Sequence, residues 1–241
     1  MSKRLKFFLG HLSVSIAIAL LVVGLVFLIW YPTPLGKALG VTQLFLMLVV
    51  IDVILGPLLG LLVYKEGKKT LKFDLATVVI LQLSALGYGI YSIAEGRPVW
   101  IVYDTATFTV IKNSEIETKN IEQAKPEYQK PSLFKPQYVS LNADLKPTMQ
   151  ALLHSSSQST ASRYPIYYTN LSSAKLRMQF SALPIKFLEH YNDKSKVDKV
   201  VKKYPQADSW VGLSAPMRDM VVLINKEKGE VVKIVDLRPW K

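Results

Sequence analysis

The sequence predicts a membrane protein: three transmembrane α-helices followed by a C-terminal exported α+β domain with a small antiparallel sheet. Three observations predict it. Long apolar runs fill about residues 7–31, 41–64 and 75–94 of the 241, and no later run matches them in length. Each reaches the roughly 20 apolar residues that a helix needs to cross a hydrocarbon core about 30 Å thick. After residue 97, β-branched and aromatic stretches such as Val99–Tyr103 and Met220–Ile224 read as strands instead. The boundaries are 1–96 for the three-span part and 97–241 for a domain large enough to hold its own core.

Charge orients the spans. Lys3, Arg4 and Lys6 precede the first, and Lys65, Lys68, Lys69 and Lys72 lie between the second and third, whereas Lys37 alone sits between the first and second. Short cytoplasmic loops concentrate Lys and Arg. The N-terminus is therefore expected inside, in a bacterial inner membrane, with residue 98 onward in the periplasm. The net charge of +12 divides into +4 for residues 1–96 and +8 for the rest. A basic exported domain can meet anionic lipid or an acidic protein face; nucleic acid would lie in the wrong compartment. With no cysteine in the chain, disulfides and thiol chemistry are excluded.

The first run has a basic start but is longer than a signal peptide's apolar region and lacks a small-x-small site before Pro32, so it reads as a retained anchor. It ends in Trp30-Tyr31, residues that favour the headgroup level, and then in Pro32 and Pro34, which stop the helix. The second run carries Asp52 near its middle, with Gly56, Pro57 and Gly60 following. A carboxylate there costs about 2.5–3.5 kcal/mol on insertion scales, which the surrounding Leu, Ile, Val and Phe offset. Pro57 removes the bond to the Val53 carbonyl, so a kink is expected beside Asp52. Gly56/Gly60, and Ala85/Gly89 in the third run, are small-xxx-small pairs that allow close helix approach. The plainer reading of Asp52 is a hydrogen bond inside the bundle, to Gln82 or Ser84. The functional one is a contact with a partner's transmembrane helix, and a proton or ion pathway is a third, for which three helices without a repeat are thin material. Gly67-Lys68-Lys69-Thr70 lacks the first glycine of a phosphate loop, where Leu62 stands.

In the exported domain, residues 99–111 predict two strands broken near Asp104, and 113–124 a short helix. Four prolines forbid a long helix between Lys125 and Pro147, and 154–162 reads as an exposed loop. Pro165 to Thr169 predicts a strand. Val197, Val200, Val201 and Tyr204 recur at helical spacing between lysines, an amphipathic helix whose lysines are read as solvated. Residues 220–225 and 230–236 flank a Gly-containing turn and predict a hairpin.

Chemistry is scarce. His11, His154 and His190 form no metal-ligating pattern. Ser214 lacks the second glycine of a nucleophile elbow. A rival reading, an envelope enzyme or transporter component, requires a buried polar pocket lined by several of His154, His190, Asp193, Asp208 and Ser214. No enzyme and no cofactor is expected.

Several short motifs occur in a shared order: Trp30-Tyr31-Pro32, Asp52-x-x-Leu55-Gly56-Pro57-Leu58-Leu59, Lys68-x-x-Leu71-Lys72-x-Asp74-Leu75, Gln82-Leu83, Tyr88-Gly89, Arg97-Pro98-Val99-Trp100 and the closing Leu237-Arg238-Pro239-Trp240. In order and spacing the chain resembles the type IV pilin accessory proteins of the TfpX/TfpZ (FimB-like) family. It departs from that family before Phe108, where Ala106-Thr107 replaces an Asp-Arg pair. The resemblance implies a non-catalytic inner-membrane protein that assists pilin assembly or pilus display. The implied partners are a type IV pilin, membrane lipid and other pilus-assembly membrane proteins. Asp52, Gly56, Pro57, Gly60 and Gln82 are the candidate partner-binding residues.

Overall fold

Breakers at Pro32, Pro34 and Gly67 divide the first hundred residues of the computed structural model, which describes residues 1–142 and 158–241, into three long helices. Helix α1 (Lys3–Gly24) begins where the Ser2 hydroxyl accepts from the Leu5 amide, at 3.2 Å, and it runs on as a π-helical stretch, Leu25–Trp30. After a single short turn, α2 (Leu35–Ala38), come α3 (Val41–Val63) and α4 (Leu71–Gly96). All three long helices are long and apolar enough to cross a membrane. Only 17%, 17% and 11% of their most apolar windows are buried, so their hydrophobic surface faces outward, the reverse of a water-soluble bundle.

Two compact units result, one comprising residues 1–32 and 41–96, the other residues 33–40 and 97–241. In the helical unit, Lys3 pairs with Glu66 and the Arg4 Nε donates to the Leu61 carbonyl at 2.8 Å, which joins the N-terminus to the α3–α4 connection. Tyr31 is buried, and its hydroxyl donates to the Ile93 carbonyl at 2.8 Å. A tyrosine that composition alone marks as a surface anchor thus satisfies one of the free carbonyls in the last turn of α4.

The second unit is built on one sheet. Its strands are β1 (Pro98–Tyr103), β2 (Phe108–Lys112), β3 (Gln137–Leu141), β4 (Tyr168–Asn170), β5 (Leu183–Pro184), β6 (Ser209–Ser214), β7 (Met220–Asn225) and β8 (Glu230–Val235). They lie in the order β4-β3-β1-β2-β6-β7-β8, with β5 against β6. Among the described residues the expected small antiparallel sheet is therefore corrected to an eight-stranded mixed one, in which β1/β3 and β2/β6 run parallel. Parallel neighbours need long crossovers, here from 112 to 209 for β2 and β6, and local strand patterns carry no trace of such pairings.

Both faces of the sheet are covered. Ile101 and Tyr103 of β1 join Phe108, Leu213, Met220 and Val222 in one cluster, whereas Trp100 and Val102 join Tyr128, Val139 and Tyr168 on the opposite face. Alternation along β7 likewise sends Val221 and Leu223 to a third cluster with Leu188, Val197 and Trp210. Three further helices supply the cover: α5 (Pro126–Gln129) through Tyr128, α6 (Lys175–Ser181) through Met178, and α7 (Lys194–Lys203) through Val197. The amphipathic helix and the 220–236 hairpin form as expected; the 113–124 segment holds two single 3-10 turns. Of the expected 154–162 loop, 154–157 lie outside the described residues, and 158–163 form a 3-10 helix.

Residues 33–40 complete this core. Leu35 and Ala38 are fully buried in the cluster around Phe108 and Met220. The Ala38 carbonyl accepts from the Met217 and Arg218 amides at 3.1 and 3.2 Å, and Lys37 pairs with Asp236. Gly40, at φ +71, lies so close to Met217 that a Cβ would meet its Cγ at 2.7 Å. At the other end of the chain the Trp240 ring lies on Gly212, where a Cβ would meet it at 2.2 Å, and the Trp240 indole donates to Asp219 at 2.6 Å.

Leu35→Ala is expected to destabilise the sheet domain by about 2–5 kcal/mol, the usual cost of truncating a buried leucine. Lys37→Ala, at a largely exposed ion pair, is expected to change it by less than about 1 kcal/mol. Limited proteolysis of the full chain in detergent would rank the two. Equal protection of both variants would show that the loop adds nothing to the core.

Candidate functional site

Two polar residues one turn apart on one long helix, and a carboxylate with two glycines at the same spacing on another, meet a single amide from the third. His11 and Ser15 come from α1, Asp52 and the glycines 56 and 60 from α3, and Gln82 from α4. The Gln82 Nε2 donates to the Ser15 Oγ at 3.1 Å and to the Asp52 backbone carbonyl at 3.2 Å. Its Oε1 lies 2.9 Å from the His11 Nε2. An amide oxygen only accepts, so His11 donates to it from Nε2. Among the described residues the buried His11 Nδ1 has no hydrogen-bond partner. The Asp52 carboxylate is half-buried; it interacts with the Gln82 amide and, at longer range, with His11.

Glycine makes the meeting possible. A Cβ on Gly56 would lie 2.0 Å from the Gln82 Oε1, and one on Gly60 would press on Phe7 and His11 at 3.0 and 3.2 Å. One α-helical row on α3 thus offers no side chain where α4 inserts its amide and α1 its imidazole. Gly89, a further two turns along α4, does the same for Leu48, whose Cδ1 a Cβ would meet at 2.2 Å. Pro57 is buried inside α3, which continues as helix on either side of it.

Four of the five sequence-predicted residues, Asp52, Gly56, Gly60 and Gln82, converge here, and Pro57 adjoins them. Asp52 takes Gln82 rather than Ser84, which is exposed. Sequence reasoning missed His11 and Ser15. Their signal was partial: His11 and Ser15 stand one turn apart on one face of the apolar run, but Ser13 between them is equally polar and is exposed. Beside the cluster, a groove of about 500 Å³ between α1 and α4 is lined by Phe7, Val14, Val79 and Leu83, with His11, Ser15 and Gln82 on its walls.

In the sheet domain, the residues of the rival enzyme reading have local tasks. The His190 Nδ1 lies 3.1 Å from the Phe187 carbonyl, with its ring stacked on Phe187. Asp193 pairs with Lys196, which holds its carboxyl below the usual range. Asp208 accepts from the Lys226 amide at 2.9 Å, and Ser214 ends β6. His154 lies outside the described residues. Among the described residues no three His, Asp or Glu side chains converge as a metal-ligating group.

These features define a class: an apolar three-helix unit, suited to membrane insertion and locked by a Gln-centred polar cluster, joined to a mixed-sheet domain. The family model of the fimbrial assembly protein FimB matches residues 1–40. Three curated relatives come from Dichelobacter nodosus. The fimbrial assembly protein of serogroup I is 35% identical over 120 residues, 49% of this chain and 47% of the relative. That of serogroup E1 is 34% identical over 120 residues, with the same shares. That of serogroups C1 and C2 is 34% identical over 116 residues, 47% of this chain and 88% of the relative. The chain belongs to this family of fimbrial assembly proteins. The match spans about half the length of the first two relatives. No solved structure matches.

Gly56→Ala is expected to expel the Gln82 amide and destabilise the helical unit by about 1–3 kcal/mol, as overpacking does. Gly87→Ala, where nothing lies within 4 Å, serves as the comparison. Thermal unfolding in detergent should separate the two. Matching midpoints would show that the helices do not meet at Gln82.

Proposed function

We propose that this chain is a non-catalytic inner-membrane accessory protein that assists type IV pilin assembly or surface display by holding the pilin transiently, as its resemblance to the TfpX/TfpZ proteins implies. The family supports a role in fimbrial assembly. The observation that carries the holding step is the polar cluster. Three helices with outward apolar surfaces meet at Gln82, and a groove beside that meeting point admits a fourth apolar helix. Asp52, half-buried, is not itself part of the groove's lining and would act on such a helix through Gln82, which is. Polar contacts of this kind in lipid contribute about 0.6–2 kcal/mol each, weak enough for release.

Topology supports the reading. Residues 33–40 and 97–241 share one folded unit, so both lie on the same side of any membrane that the helices cross. That matches three crossings. The basic N-terminus and the α3–α4 connection, joined by Lys3–Glu66, then occupy the opposite, cytoplasmic side. The sheet domain would be periplasmic, where a second contact, with the pilin head, would reinforce the first through effective concentration.

Asp52→Asn is expected to reduce co-purification of pilin severalfold while the variant remains inserted. Unchanged capture would remove Asp52 from the mechanism. Truncating residues 98–241 is expected to abolish pilin handling; normal handling would leave the sheet domain as a tether.

A further inference from the structure

The sheet ends at β8, and among the described residues no strand pairs with its outer side. A groove of about 680 Å³ runs there, touching every residue from 228 to 233 on one wall and Tyr138, Leu171 and Lys175 on the other. Side chains of a strand alternate between faces, so a groove that touches successive residues lies along the hydrogen-bonding edge. The alternation is visible here: Val231 packs toward the cluster around Phe108, and Val232 toward the one beneath α7.

The far wall belongs to β3 and to the chain leading into α6, near the other end of the strand order. β8 thus faces Tyr138 and Leu171 across a gap that contains no described strand. Helix α6 closes one end. The Gln179 Nε2 donates to the Lys226 and Glu227 carbonyls, both at 2.8 Å, and Lys175 lies against Gly229, at φ +63, where a Cβ would meet its Cγ at 2.4 Å. Tyr138, whose ring meets Phe108 edge-on, and Leu171 make the far wall partly apolar. The rim is basic: Lys175, Lys228 and Lys233 against Glu230 alone.

An unpaired edge is a template for a further strand. Which strand is decided by charge. Lysines beside an edge oppose pairing with a second copy, which would bring like charges together across the new ladder. The same lysines favour an acidic segment. We propose that this groove receives an extended, acidic segment of a partner polypeptide, which adds to β8 as a ninth strand. This goes beyond the helix-holding reading and does not depend on it.

The test uses the full chain in a neutral detergent and a fluorescein-labelled ten-residue peptide alternating valine and glutamate. Anisotropy should report saturable binding that weakens with salt. Lys228→Glu with Lys233→Glu should weaken it at least tenfold, and a valine–lysine peptide should not bind. N-methylation of alternate peptide amides blocks one edge of the peptide at a time, so one methylated version should bind normally and the other at least tenfold more weakly. Equal binding of the two methylated peptides, no binding of any peptide, or survival of binding in the double variant would overturn the proposal. So would sedimentation showing a dimer that the double variant abolishes, which would make a second copy the occupant.

Discussion

The insertion of residues 33–40 into the sheet domain is the contact on which the rest of the architecture depends. The segment is short and bounded by Pro32 and Gly40, yet Leu35 and Ala38 lie in the same cluster as Phe108, Leu213 and Met220. The core of the sheet domain is therefore assembled from two stretches separated by α3 and α4. Burying a leucine side chain contributes about 1.5–3 kcal/mol, a sizeable share of the 5–15 kcal/mol that stabilises a typical domain. Two carbonyl bonds at Ala38 and the Lys37–Asp236 pair fix the segment's position. The consequence is topological: the domain cannot be completed unless α3 and α4 form a hairpin that returns the chain to it.

Within the helical unit the governing constraint is polar rather than apolar. If these helices cross a membrane, as their length and composition suit them to, outward surfaces rich in Leu, Ile and Val would give them no hydrophobic reason to associate, and close packing and hydrogen bonds would have to do so. Glycines at 56, 60 and 89 provide the first, and Gln82 the second through Ser15, His11 and the Asp52 carbonyl. An amide with all its hydrogen-bonding groups engaged costs little to bury, whereas one displaced by a side chain at position 56 would not. The Asp52 carboxylate, beside the same amide, stays half-buried.

Much of this was legible in the sequence. Length and hydropathy place the three helices within a few residues, since a long apolar run has few alternatives. The 220–236 hairpin and the amphipathic α7 follow from periods of 2 and 3.6 that survive in short windows. Asp52, Gly56, Gly60 and Gln82 stood out as polar or side-chain-free positions in apolar helices. The mixed sheet did not show. Strand β3, between prolines, has only five residues, β6 is interrupted by Gly212, and their parallel partners lie far away in sequence. The role of the closing Leu237-Arg238-Pro239-Trp240 was equally hidden. Gly212 lacks a Cβ because Trp240 lies on it, and Asn192 accepts from the Arg238 amide at 2.7 Å. Such contacts are three-dimensional, and no local rule announces them.

The measurement that tests the account most directly is deletion of the gene in its host, with surface-sheared pilin compared with the total cellular pool. The account predicts less pilin at the surface and a preserved or enlarged pool in the cell. Unchanged surface pilin would contradict it.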